Sequence, residues 1–200
     1  MTLPLIASSI YYKTNTTMET SRLVWTEESR RTVYRSPVLS VRDTECRSPE
    51  GGLKTFTVID AADWVIAVPV IEQGGTRRFL MVRQWRHGSR ELSVEFPGGV
   101  IEPGETSEAG ARRELEEETA WTPGRLAKLG TMNPNPAIMS NRVHFYLAED
   151  LSPLGGQNLD EDEFVEARWI DAAEVSAGMG KPPYVHALTA AALALYMARE

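Results

Sequence analysis

The stretch Gly99–Trp121, GVIEPGETSEAGARRELEEETAW, decides the reading of this chain. Pro103–Gly104 mark a turn, and Thr106 or Ser107 can cap a helix whose body, Glu108 to Thr119, is mostly good helix formers with Gly110 the exception. Pro123 and Gly124 mark where it stops. At about 3.6 residues per turn, Glu114 and Glu118 lie one turn apart on one face, with Glu117 beside them and Glu116 nearly opposite. Like charges so placed repel by roughly 0.2–0.5 kcal/mol per exposed pair, and by more when buried. A hard cation with oxygen ligands removes that penalty, and magnesium suits such a site because it keeps waters and bridges to phosphates. A glutamate run alone is ordinarily a solvated helix face. The residues upstream change that reading. Pro97–Gly98–Gly99 form a backbone able to approach a ligand or metal closely, and Arg113 is placed to pair with Glu105 and hold the loop against the helix.

The rest of the chain is consistent with one soluble domain. Its 200 residues allow a single generous domain, and 42% hydrophobic with 24% charged residues is ordinary for a globular protein, which argues against disorder or a fibre. The single cysteine, Cys46, excludes an internal disulfide and a cysteine-based zinc site, so a cytoplasmic setting is expected. No apolar run reaches the roughly 20 residues of a membrane helix, so no membrane partner is expected. The formal charge of −7 argues against nucleic acid as partner, because duplex binding rests largely on neutralising phosphates. An anionic small-molecule substrate would need a local reversal of sign, for which a divalent cation is the natural agent.

Residues 1–20 carry few charges and no periodicity, and read as a disordered tail with Met18 a candidate start. Val33, Tyr34, Val38, Leu39 and Val41 form one β-rich run and Lys54 to Asp60 a second, with a turn at Pro49 to Gly52. Trp64 to Ile71 is nearly all apolar, as expected of a central strand covered on both faces. Arg77–Trp85 follows it. Further strand-like runs are Leu126–Thr131, Val143–Ala148 and Phe164–Ile170, and a last helix is expected over Tyr184 to Arg199. The expected class is α/β with a mixed sheet, divided into the tail 1–20, a β-rich segment 21–60 and a main domain 61–200.

The stretch Gly99–Trp121 resembles the Nudix box of the Nudix hydrolases. Gly99, Glu105, Arg113, Glu114, Leu115, Glu117 and Glu118 all match, Trp121 takes the final bulky apolar position, and Ala120 stands where the pattern has glycine. A left-handed cap is the usual use of that glycine, so alanine there implies a local cost of about 1 kcal/mol. The preceding segment, VRQWRHGSRELSVEFPGGVIEPGE, is similar to members that cleave ADP-ribose and related nucleoside diphosphate sugars. Gln84 and Arg86 match a QxR strand, and Glu95, Pro97 and Gly99 match an E-x-P-A-G lead-in with Gly98 replacing its alanine. Pro136 matches a downstream proline of that branch, although Asn133–Pro136 is also simply a good turn.

The resemblance implies a Nudix-type α/β/α sandwich and magnesium-dependent hydrolysis of a diphosphate, giving AMP and ribose 5-phosphate from ADP-ribose. It implies magnesium (or manganese) held by Glu114, Glu117, Glu118 and the Gly98 carbonyl. Glu163, in the acidic run with Glu161, Asp162 and Glu166, best matches a late-loop carboxylate that acts as base, with Glu117 supporting catalysis. Arg86, Glu95, Pro136 and Trp25 are the substrate-binding candidates, Trp25 as a base-stacking group contributed by the N-terminal segment. That segment would pack across a homodimer. GDP-mannose or a dinucleoside polyphosphate as substrate, or a non-catalytic nucleotide-binding module, are the alternatives. His87, His144 and His186 show no metal-ligand spacing and read as surface or packed histidines.

Overall fold

The computed structural model describes residues 22–199. The tail read at residues 1–20, with Met18, lies outside them. Three strands come first: β1 (Thr26–Arg35), β2 (Leu39–Arg47) and β3 (Leu53–Ala61), in an antiparallel sheet of that order. The β-rich run from Val33 to Val41 is thus two strands and not one. Ser36 and Pro37 break it, and a tight turn closes where the Ser36 N–H donates to the Leu39 carbonyl at 2.9 Å. Proline has no N–H to give a ladder, so a chain reversal there costs no pairing.

The second sheet is built from β4 (Trp64–Gln73), β5 (Thr76–Arg86), β6 (Glu91–Glu95), β7 (Trp121–Met132), β8 (Val143–Pro153) and β9 (Val165–Asp171). β4 lies parallel to β8, with Trp64 opposite Val143 and Pro69 opposite Ala148, and the remaining pairings are antiparallel. Both faces of the sheet are covered. On β4, Val65 and Ala67 look toward α1 (Ser107–Thr119), while Ile66 and Val68 look toward α2 (Ala172–Gly178) and α3 (Ala187–Met197). β8 alternates in the same way: Val143, Phe145 and Leu147 join the large core with Val175, Leu193 and Tyr196, and Tyr146 and Ala148 pack on the α1 side. Layers run helix, mixed sheet, helices. The α/β expectation holds, and the helix expected from Tyr184 starts three residues later, since Tyr184 is buried and hydrogen-bonds Glu174 at 2.8 Å.

Helix α1 begins and ends as its sequence requires. The Thr106 side chain accepts from the Ala109 N–H, and Ala120 sits in the left-handed region at φ 59°, donating its N–H to the Glu116 carbonyl. Replacing Ala120 with Gly should therefore stabilise the protein by about 1 kcal/mol. For a chain of this size that is a rise of about 2–4 °C in melting temperature, read by thermal denaturation. An unchanged or lowered midpoint would show that the cap is not strained.

The N-terminal sheet is tied to the main one through the loop after β7. Ile59 N–H donates to the Ile138 carbonyl at 2.7 Å, Ser140 N–H returns to the Ile59 carbonyl at 3.1 Å, and the Ser140 hydroxyl donates to Asp60 at 2.5 Å. The outer strand β1 is exposed along its whole length, with Val33 and Tyr34 among its exposed side chains.

Candidate active site

After β6 the chain runs alongside β4 toward the helix. Val65 N–H donates to the Gly99 carbonyl and Ala67 N–H to the Pro97 carbonyl, each at 2.9 Å. The approach is close enough to need glycine at Gly98, where a Cβ would stand 2.2 Å from the Val65 carbonyl oxygen and 2.9 Å from the Ile66 Cα. In return, the Gly98 N–H reaches the helix and donates to Glu118 Oε2 at 2.9 Å.

The box carboxylates converge as their spacing predicts. Arg113 organises them: its guanidinium bonds Glu105 at 3.1 Å, Glu114 at 2.9 Å, Glu117 at 3.0 Å and the Val100 carbonyl at 2.9 Å. Glu116 points away and accepts from Thr122 at 2.6 Å. Burial pushes the Glu118 carboxyl up to about 8; the Gly98 N–H opposes this, while the charges of Glu114 and Glu163 add to it. Glu114 is also raised, chiefly by burial. Glu105 is held below the usual range by its bond to Arg113.

Among the described residues no three His, Cys, Asp or Glu side chains stand ready-made as metal ligands, and Arg113 bonds one oxygen each of Glu114 and Glu117. The donor chemistry nevertheless fits a hard divalent cation. A buried and a half-buried carboxylate with raised pKa values, Glu118 and Glu114, next to a third, carry an electrostatic cost that a cation would remove.

Beside this cluster lies a cavity of about 600 Å³. Gly98 and Gly99 form one wall, Val38, Leu39 and Ala61 of the N-terminal sheet another, and Arg86, Ser93, Glu95 and His186 supply polar groups. Arg86 grips Glu95 through two bonds of 2.8 and 2.5 Å. Glu95 is 1% exposed; burial alone would raise its pKa, but the bonds from Arg86 and His186 outweigh that and hold it at about 2. Arg86 lines the cavity and also feels the charge of Glu118.

The other candidates are dispersed. Glu163 lies in the loop before β9, and its charge acts on both Glu114 and Glu118, which sets it close to the cluster. That loop is hooked to the helix end: Asn158 N–H donates to the Glu117 carbonyl at 3.1 Å and Gln157 Nε2 to the Glu118 carbonyl. Glu166 instead pairs with Arg83 at 2.8 Å. Pro136 sits in the loop that stitches the two sheets, and Met139 of the same loop lines the cavity. Trp25 packs edge-on against Phe56, with ring centres 5.1 Å apart, and does not line the cavity. Two cavity residues have no sequence signal: His186, and Ser93, whose buried hydroxyl has no hydrogen-bond partner among the described residues.

Comparison with known proteins identifies the family. The family model for the NUDIX domain matches residues 63–190. The ADP-ribose pyrophosphatase of Bacillus subtilis (strain 168) is 34% identical over 135 residues, covering 67% of this chain and 71% of that protein. The ADP compounds hydrolase NudE of Escherichia coli (strain K12) is 24% identical over 140 residues, covering 69% of this chain and 73% of its own. A crystal structure of an ADP compounds hydrolase superposes with a TM-score of 0.76 at 23% identity, over 88% of this chain and 93% of that one. The chain belongs to the Nudix hydrolase family.

Proposed function

We propose that this protein hydrolyses the diphosphate bond of ADP-ribose or a related nucleoside diphosphate sugar, with magnesium or manganese as cofactor, giving AMP and ribose 5-phosphate from ADP-ribose. The observation that carries the reading is the gathering of Glu114 and Glu117 on Arg113, with Glu118 bonded to the Gly98 N–H, beside a cavity that Gly98 and Arg86 both line. The named substrates of the similar proteins point to the same class.

Glu114, Glu117, Glu118 and the Gly98 carbonyl would hold the cation, which supplies Lewis acidity and charge neutralisation at the phosphate. Arg86 binds a phosphate oxygen, held in place by Glu95. Glu163 takes the proton of the attacking water as its oxygen bonds to phosphorus, and the bond from that phosphorus to the bridging oxygen breaks. Glu117 supports this chemistry from the helix. The loop of Pro136 shapes the cavity wall. Trp25 would stack on the base from a second copy of the chain, in a homodimer built through the exposed N-terminal sheet. Among the described residues no helix is long and apolar enough to cross a membrane, and the acidic net charge fits a small-molecule partner in the cytoplasm better than nucleic acid.

Incubating the purified protein with ADP-ribose, with magnesium or with chelator, tests the reading. AMP and ribose 5-phosphate should appear in equal amounts with magnesium and fall by at least about a hundredfold with chelator. Turnover of GDP-mannose or a dinucleoside polyphosphate instead would move the substrate assignment. Turnover of none of them would favour the non-catalytic reading.

A further inference from the structure

His186, half-buried, lines the candidate site although it is 91 positions from the nearest motif residue it touches, Glu95. It caps the start of α3, and its Nδ1 stands 3.0 Å from Glu95 Oε2 and 3.3 Å from Thr189 Oγ1. Glu95 therefore serves two partners at once, Arg86 from β5 and His186 from the C-terminal helix. An ionised carboxylate has about four lone-pair sites, and a buried one left short of donors is costly. With His186 present, Glu95 is held from the α3 side while Arg86 takes both its oxygens and presents the remainder of its guanidinium to the cavity. Without it, Glu95 keeps Arg86 alone as a side-chain donor among the described residues, and the pair is free to swing together away from the opening.

We propose that His186 is a positioning residue for substrate: it anchors Glu95 so that the Arg86 guanidinium faces the cavity, and so makes the C-terminal helix part of the substrate site. The proposal rests on the reading of that cavity as the place where the diphosphate substrate binds. Its immediate neighbourhood supports a binding role over a purely structural one. His186, Glu95 and Ser93, two residues before Glu95 on the same face of β6, all line the cavity.

The test compares His186→Leu, which removes the donor, with His186→Asn, whose side-chain amide can place an N–H close to the position of Nδ1. With ADP-ribose or whichever nucleoside diphosphate sugar the parent cleaves, His186→Leu should raise KM about tenfold with kcat within twofold. His186→Asn should return KM to within about threefold of the parent. Thermal midpoints measured alongside separate this from simple loss of packing, which would lower stability without splitting KM from kcat. Equilibrium binding of ADP is measured in parallel. If the parent turns over no substrate, the catalytic reading fails on its own, and the proposal is judged by ADP affinity, which should fall about tenfold in the Leu variant and recover in the Asn variant. An unchanged KM or ADP affinity in His186→Leu would overturn the proposal. So would an Asn variant as impaired as the Leu variant, or a parent that binds neither ADP nor substrate.

Discussion

Glu118→Gln is expected to lower turnover by on the order of 10²–10³ while making the cation-free protein more stable than its parent. The two effects share one cause. Glu118 is 4% exposed, and its folded-state pKa is raised from 4.5 to about 8. A carboxyl raised in this way contributes its full share to stability below about pH 4.5 and loses it as pH climbs through about 8. At about 1.4 kcal/mol per pKa unit, the loss amounts to a few kcal/mol at pH 8. Glutamine keeps an oxygen for the Gly98 N–H and carries no charge. In chelator, urea denaturation should show the variant ahead by about 2 kcal/mol or more at pH 8, with the gap shrinking toward pH 5. Equal stabilities at both pH values would mean that Glu118 is not electrostatically stressed, and normal turnover would remove it from the catalytic site altogether.

Gly98→Ala should produce the largest loss of stability among single substitutions in the box region. The new Cβ would meet backbone, not a movable side chain, at 2.2 Å from the Val65 carbonyl oxygen. Relief requires the strand and the loop to part, which breaks the hydrogen bonds Val65–Gly99 and Ala67–Pro97 and shifts the Gly98 N–H from Glu118. Overpacking and lost bonds together should cost about 3 kcal/mol or more, a fall in melting temperature of about 6–12 °C, with activity falling too. A variant that melts with the parent would show that the loop has room to spare.

Local patterns in the sequence were enough to read the glutamate-rich helix α1. Its caps at Thr106 and Ala120, its carboxylate sector and the Arg113–Glu105 bond all follow from offsets of a few residues, where helix geometry leaves little freedom. The alternation of β8 was legible for the same reason. The reversal at Ser36–Pro37 was hidden because β-branched and apolar residues continue on both sides of it. Strand β6 is only five residues long, and α2 only seven, too short for a period to stand out. His186 and Ser93 were invisible for a different reason. Their importance comes from contacts with segments far away in sequence, and no spacing rule encodes which strand end a C-terminal helix will meet.

The parallel pairing of β4 with β8 bears on how the protein is made. Trp64 to Pro69 wait for Val143 to Ala148, which a ribosome adds on the order of eighty residues later, at roughly 5–20 residues per second. The hairpins of β1, β2 and β3 need only neighbours already synthesised. Nascent chains should thus carry an early amino-terminal sheet and an unclosed, apolar β4. The glutamate helix, which lies between β4 and β8 in sequence, can then be docked on its sheet only after β8 has emerged.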